Sequence, residues 1–412
     1  MGWPELERMK RGPNWKWWVS ALLLSATMIN YMDRQTLANL SVRVTKALGL
    51  TEEQYGTLEL GFGWAFAAGS FVFGWLADQL ALRWLYPSIL LGWSLAGILT
   101  GLVSDYPELL MCRILLGFFE AGHWPCALKT VQRVMLKQDR HFGNSLLQSG
   151  AAIGAIVTPP IILAILALFD RGDERAWSIP FIVIGLAGTT WIVGWFLLIG
   201  PQDLVATEEK SRTESGWAIA IDRRVWALLV MVITINTTWQ ILRAWLPKYL
   251  QQGRGYSEAT SLWFNSAFYI VADIGCILSG AIALRLAKRG YSQHSSSVWV
   301  YGGCAGITAL AVLLGFVPNG VFLFGLLLII GAGALGLFPC YYTFCQEISE
   351  THLGKMSGIV AGIGWIVSSP MQKLYGRHID ATQSFEWGLA LAGLMPSIGL
   401  LALLLLWRRN QK

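Results

Sequence analysis

Polar and apolar positions along this chain alternate on the length scale of a bilayer rather than that of a soluble core. Predominantly apolar runs of about 20 residues, enough for a helix to cross the hydrocarbon layer, recur twelve times. They fall at approximately 17–41, 57–77, 85–103, 108–128, 142–166, 178–199, 225–248, 259–283, 297–317, 321–344, 354–375 and 385–407. Short polar segments separate them. The pattern predicts an all-α membrane protein of twelve transmembrane helices.

Basic residues orient the spans. Twenty of the 31 Lys and Arg fall in or beside the segments on the amino-terminal side and eight on the other, leaving Arg34, Arg113 and Arg243 inside spans. The excess places both termini in the cytoplasm of a plasma membrane, the inner membrane for a bacterium. The first run is too long for a signal peptide and reads as an uncleaved first helix. Of the 412 residues 54% are hydrophobic and 14% charged, more apolar surface than a soluble fold could hide. The net charge of +6 reflects cations at the membrane surface and gives no reason to expect nucleic acid. The six cysteines, at 112, 126, 276, 304, 340 and 345, show neither metal spacing nor a secreted disulfide framework. With no nucleotide loop, metal cluster or catalytic triad, the chain is not expected to be an enzyme, and no cofactor or metal is expected.

The chain repeats itself. Gly117, Gly122, Pro125 and Cys126 recur as Gly331, Gly336, Pro339 and Cys340, an offset of 214 residues; His141, Gly143 and Pro159 recur as His352, Gly354 and Pro370, an offset of 211. The first set links spans four and ten and the second links five and eleven. Two six-helix pseudo-symmetric halves, 1–199 and 225–412, joined by a cytoplasmic linker at 200–224, account for both. Parallel repeats around a midplane cavity are a transporter architecture.

Charges inside such spans are expensive, about 2.5–3.5 kcal/mol each on insertion scales, and are functional candidates by default. Span four carries Arg113, Gly117, Glu120 and His123 on one helical stripe, which reads as an ionisable relay. The repeat answers Arg113 with Leu327 and Glu120 with Ala334. A pair needed only to brace the frame would appear in both halves. In span one, Asn30, Tyr31, Asp33, Arg34 and Gln35 are consecutive or nearly so, and neighbours point about 100° apart. Either Asp33 or Arg34 can therefore line a cavity while the other faces a neighbouring helix. Gln148, before Ser149, Gly150 and the Pro159–Pro160 pair, is a cavity candidate that could equally bond a helix neighbour.

Gly74, Asp78 and Arg83 surround the turn after span two and suggest a helix-end lock made by an ion pair and the helix dipole, a gating structure rather than a binding site. In the second half Asn236, Gln240 and Arg243 share one face and are read as cavity-lining, although Arg243 is near enough to the outer surface to snorkel. Asp273 divides evenly between a structural and a functional bond. Most tryptophans are helix-end anchors and packing; Trp64 and Trp365 are the two considered for the cavity.

These residues resemble the major facilitator superfamily and, within it, the anion:cation symporter family of sugar-acid, hexuronate and galactonate permeases, related to sialin and the vesicular glutamate transporters. The likeness rests on Asn30, Tyr31, Asp33 and Arg34; on Arg113, Gly117, Glu120, Ala121, Pro125 and Lys129; on Gln148, Ser149 and Gly150; on Trp245, Leu246, Pro247, Lys248 and Tyr249; and on Ala272, Asp273 and Gly275. It implies the major facilitator fold and proton-coupled symport of a small organic anion, a hexuronate or aldonate, by alternating access in a monomer whose partners are that anion, protons and the lipid bilayer. It assigns protons to Asp33 and Glu120 and the anion to Arg34, Arg113 and Gln148, with Tyr31 beside them. The alternative on the same fold is an anion exchanger or facilitator without proton coupling. The chain departs from the family at Ala127 and Leu128, at Gln79, at Gly362 to Trp365, and at Arg243.

Overall fold

A computed structural model describes residues 12, 14–136, 139–170, 172–204, 222–348 and 353–407. Fifteen α-helices cover most of them. The first seven are α1 (Trp15–Ala47), α2 (Glu52–Gln79), α3 (Leu82–Thr100), α4 (Tyr106–Glu120), α5 (His123–Val134), α6 (Arg140–Phe169) and α7 (Ser178–Leu198). The remainder are α8 (Arg223–Lys248), α9 (Glu258–Lys288), α10 (Gln293–Ala309), α11 (Val321–Gly336), α12 (Phe338–Ile348), α13 (Leu353–Ser368), α14 (Pro370–Thr382) and α15 (Glu386–Leu406). Some helix starts carry side-chain caps. Asp105 accepts from the Glu108 amide at 2.9 Å, Ser257 from Thr260 at 3.2 Å and Ser292 from Ser295 at 3.1 Å.

The fifteen helices trace the twelve expected spans, because spans four, ten and eleven are each broken. Span four breaks at Ala121 and Gly122, and span ten breaks just after Gly336, the glycines that the repeat equates. Span eleven breaks before Pro370, which has no amide to continue the ladder; the equivalent Pro159 lies inside the continuous α6. His352, the repeat partner of His141, and most of the linker lie outside the described residues. Nine helical segments among those described are long and apolar enough to cross a membrane unaided. The other three predicted spans are α1, α4 with α5, and α13 with α14. Two of these are the broken spans four and eleven, and α1 carries four consecutive polar-flanked positions at its middle.

The chain divides into two compact units: residues 1–50 with 61–212, and residues 51–60 with 213–412. In the first, α6 lies close along α1. A Cβ on Gly154 would stand 2.5 Å from the Met28 carbonyl oxygen and 3.1 Å from Tyr31 Cβ, so only glycine permits this approach. In the second, α8 packs along α15, where Thr238 donates to the Ala392 carbonyl at 2.6 Å. Its apolar core gathers around Leu228, Met231, Ile235, Tyr301 and Phe344. The first turns of α2, from Glu52 to Leu60, belong to this second unit.

Candidate functional site

In the first unit, α1 and α4 bring Arg34 and Glu120 together. Nε and Nη2 of Arg34 donate to Oε2 of Glu120 at 3.1 and 2.8 Å, and Glu120 is fully buried. The guanidinium lies 5.1 Å from the Tyr31 ring and 5.1 and 5.0 Å from Phe62 and Phe66 of α2. A cation enclosed by three aromatic faces and one carboxylate is electrostatically satisfied without water. Glu120 is the last residue of α4, at the Gly122 break, so a small shift of that break moves its carboxylate. Arg113, 1% exposed, also stands over the Phe62 ring, at 4.7 Å.

Of the two adjacent candidates Arg34 takes Glu120 of α4, and Asp33 turns toward α3. A Cβ on Gly97 would lie 3.0 Å from Asp33 Oδ1. Asp33 is buried, and its Oδ2 has no hydrogen-bond partner; the same holds for both amide atoms of buried Asn30. Unpaired buried polar atoms on one helix face are costly unless something else uses them. Gln148 is exposed on α6, while Gly150 and Gly154 make the α1 contact.

His123 differs from the relay reading. Its Nε2 and Nδ1 lie 2.9 Å from the hydroxyls of Thr27 and Tyr86, and its ring lies among Trp93 and Trp124. Both nitrogens are engaged by neutral hydroxyls and the ring is packed edge-on against indoles, an arrangement that braces α1, α3 and α5. The helix-end lock also differs in its partners. Asp78, exposed, pairs with Lys129 of α5 rather than Arg83. Arg83 donates to the carbonyl of Ile199, the C-cap of α7, at 3.1 Å and rests on Trp84 and Phe196. Arg83 thus stands at the carboxyl-terminal end of α7, and the ion pair joins α2 to α5. Gly74 meets no neighbour there within 4 Å of a built Cβ.

In the second unit Arg243 does not snorkel. It is 3% exposed and pairs with Glu59 of α2, while Gln240 accepts from its Nε at 2.6 Å. Asn236 is half-buried, with its amide 3.5 Å from a Cβ built on Gly364. Asp273 and Trp365 are half-buried and Trp64 is half exposed. One turn beyond Arg243, Lys248 holds both Glu52 oxygens at 2.7 and 2.6 Å. Asp380 of α14 accepts from the Glu52 and Glu53 amides at 3.0 and 2.8 Å. Glu59 escaped the sequence reading, as did Phe62 and Phe66. Its signal was present: an acid between Leu58 and Leu60, at the opening of an apolar run. Among the described residues no group of three His, Cys, Asp or Glu could hold a metal ion, and all six cysteines are free thiols.

Residues 23–372 match the family described as the Major Facilitator Superfamily. A probable L-galactonate transporter of Escherichia coli (strain K12) is 24% identical, the alignment covering 94% of this chain and 88% of that protein. A probable sulfoacetate transporter of Cupriavidus necator is 23% identical, covering 91% and 90%. Among solved structures, a bacterial homolog of the human lysosomal transporter Spinster, inward-facing and occupied, superposes with a TM-score of 0.81 at 13% identity, covering 97% and 98%. At that identity the likeness speaks for the fold alone.

Proposed function

The chain belongs to the Major Facilitator Superfamily, and on that premise we propose that it carries a small organic anion, a sugar acid such as a hexuronate or aldonate, by proton-coupled symport. It is a multi-pass membrane transporter and not an enzyme. The observation that carries the anion reading is the buried Arg34–Glu120 pair, walled by Tyr31, Phe62 and Phe66. A substrate carboxylate fits the guanidinium fork as well as Glu120 does, so the two anions compete for one cation. When a proton neutralises Glu120, Arg34 is released to the substrate; when the substrate leaves and the proton follows, the internal pair reforms. Asp33, with an unpartnered buried oxygen, is the second proton carrier. Arg113 and Gln148 complete the anion site of this unit, and Asn236, Gln240 and Arg243 line the other.

Relatives named for galactonate, galacturonate and hexuronate support the sugar-acid class. The basic bias of the inter-helix segments supports cytoplasmic termini in a bacterial inner membrane. The substrate reading is tested on purified, liposome-reconstituted protein loaded with D-galactonate, L-galactonate, D-galacturonate, D-glucarate or sulfoacetate. Counterflow of at least one sugar acid, inhibited by excess of the same acid and not by the neutral sugar, is expected. Counterflow of none of them would overturn the reading.

A further inference from the structure

The anion reading does not account for an indole in the middle of α8. From Met231 to Leu250 every residue is buried except Ile233, Asn236 and Trp239, which are half-buried and spaced by three. Asn236, Trp239, Gln240 and Arg243 fall within about 100° of arc, so they share one face of the helix. The side chains of Asn236 and Trp239 make no hydrogen bond to a described residue. The indole is nonetheless fixed in place by α9 and α12. Phe268 lies nearly parallel to it, at 17° and 6.2 Å between centroids, while Tyr269 and Phe338 meet it at 83° and 80°. Phe268 in turn fits against Gly331 of α11, where a built Cβ would stand 2.4 Å from the ring. Two other tryptophans on α8 show the ordinary uses of an indole. Trp226, near the amino-terminal end, is 57% exposed, as interfacial anchors are. Trp245 is buried, edge-on to Tyr55 and Tyr375, and donates to Gln372 Oε1 at 2.6 Å. Trp239 does neither: it is mid-span, wedged by three rings, partly open, and on the helix face that carries two amides and a guanidinium.

We infer that Trp239 is the platform on which the carbon chain of the transported acid stacks, and that it sets how strongly the second unit selects for chain length. The inference rests on the sugar-acid reading and deepens it. A sugar acid has a charged end and a hydroxylated chain whose C–H groups form an apolar edge. An indole buries a large area against such an edge, and one already held by its neighbours loses little freedom in doing so. The hydroxyls need donors and acceptors, and the indole N–H and the Asn236 amide supply both. A mostly aromatic wall with a few placed polar groups is how small-molecule sites are generally built. A short acid such as glycerate presents little chain to the ring and gains little from it. An indole that only packed the helices would bear on short and long acids alike.

The test is isothermal titration of detergent-purified wild type, Trp239→Leu and Trp239→Phe with D-galactonate, D-threonate and D-glycerate, acids of six, four and three carbons. The thermal unfolding midpoint of each variant is the control for folding. Should D-galactonate not bind, whichever of L-galactonate, D-galacturonate and D-glucarate binds takes its place. Wild-type affinity should rise with chain length. Trp239→Leu removes the ring and should weaken binding of the six-carbon acid about tenfold or more, the scale of a lost apolar contact in a pocket, while D-glycerate stays within about twofold. Trp239→Phe keeps a ring among the same three neighbours and should fall between, which preserves the test if the leucine variant does not fold. Where the short acids bind wild type too weakly to measure, the loss for the six-carbon acid in a folded variant decides. Equal losses for all three acids, unchanged six-carbon affinity in a folded variant, or wild-type affinity that does not rise with length would overturn the proposal and leave the anion reading intact. Misfolding of both variants would assign Trp239 to structure and overturn it too. Wild type that binds sulfoacetate and no sugar acid overturns the proposal alone; wild type that binds no acid removes the anion reading with it.

Discussion

Replacing Glu120 with glutamine removes a charge and keeps a shape. In the wild type both hydrogen bonds from Arg34 end on Oε2 of a fully buried carboxylate. A hydrogen bond to a charged group contributes about 1.5–3 kcal/mol and a neutral one about 0.5–1.5. Loss of the acceptor charge in these two bonds weakens the internal competitor by about 2 kcal/mol, which is about thirtyfold in an equilibrium constant. Glu120→Gln should therefore bind a sugar acid such as D-galactonate up to about thirtyfold more tightly at pH 8, where wild-type Glu120 has to be neutralised first. The variant mimics the protonated form permanently, so counterflow of internal for external anion should survive and gradient-driven accumulation should be lost. Binding by calorimetry, counterflow and driven uptake are measured on one preparation. Loss of all three together would assign Glu120 to bracing α1 against α4. Wild-type accumulation would mean that another carboxylate, Asp33 first, carries the proton.

Arg113→Lys keeps the charge above Phe62 but loses the fork. It should cost at least one charge-assisted bond, about 1.5–3 kcal/mol or roughly ten- to a hundredfold in anion Kd, with the thermal unfolding midpoint nearly unchanged; wild-type affinity would place Arg113 outside the site. His123→Phe should strip the Tyr86 hydroxyl of its partner while Thr27 keeps its bond to the Leu23 carbonyl, lowering stability by about 1–3 kcal/mol. The pH profile of anion binding should not move, whereas a shifted profile would restore His123 to the proton path. Near the carboxyl-terminal end of α1, the hydrogen bond from Arg43 and its charge hold the half-buried Asp170 carboxyl below the usual carboxylate range. Its folded pKa is lowered, so its contribution is present above the unfolded value of about 3.9 and is lost as pH falls through the folded one. Asp170→Asn should lower the unfolding midpoint at pH 6 and make no difference near pH 2; a deficit that persists at low pH would refute the pairing.

Much of this was legible in the sequence because the bilayer writes itself into length and hydropathy. Nearly every span follows from about 20 apolar residues, and Gly122 and Gly336 stood out as a repeat, although not as the places where spans four and ten break. Arg34, Arg113 and Glu120 stood out because charges are rare at that depth. Pairing was less legible. Two adjacent residues on α1 had to face different ways, and only packing shows that Gly97 makes room for Asp33 while Arg34 meets Glu120. Asp78 found Lys129 rather than the sequence-near Arg83, since a lysine on a neighbouring helix is closer than an arginine beyond a turn. Glu59 was hidden for a related reason: at the start of an apolar run an acid looks like an interfacial cap until Arg243, 184 residues later, is seen to meet it.

The account turns on coupling, and one measurement addresses it. Reconstituted protein is given an inward proton gradient, alkaline inside, with radiolabelled sugar acid outside at a concentration well below its Kd. The account predicts accumulation above the external concentration that collapses on adding a protonophore and is absent when the pH is equal on both sides. Uptake that reaches only equilibrium, at the same rate with or without the gradient, would contradict it and make the protein a facilitator.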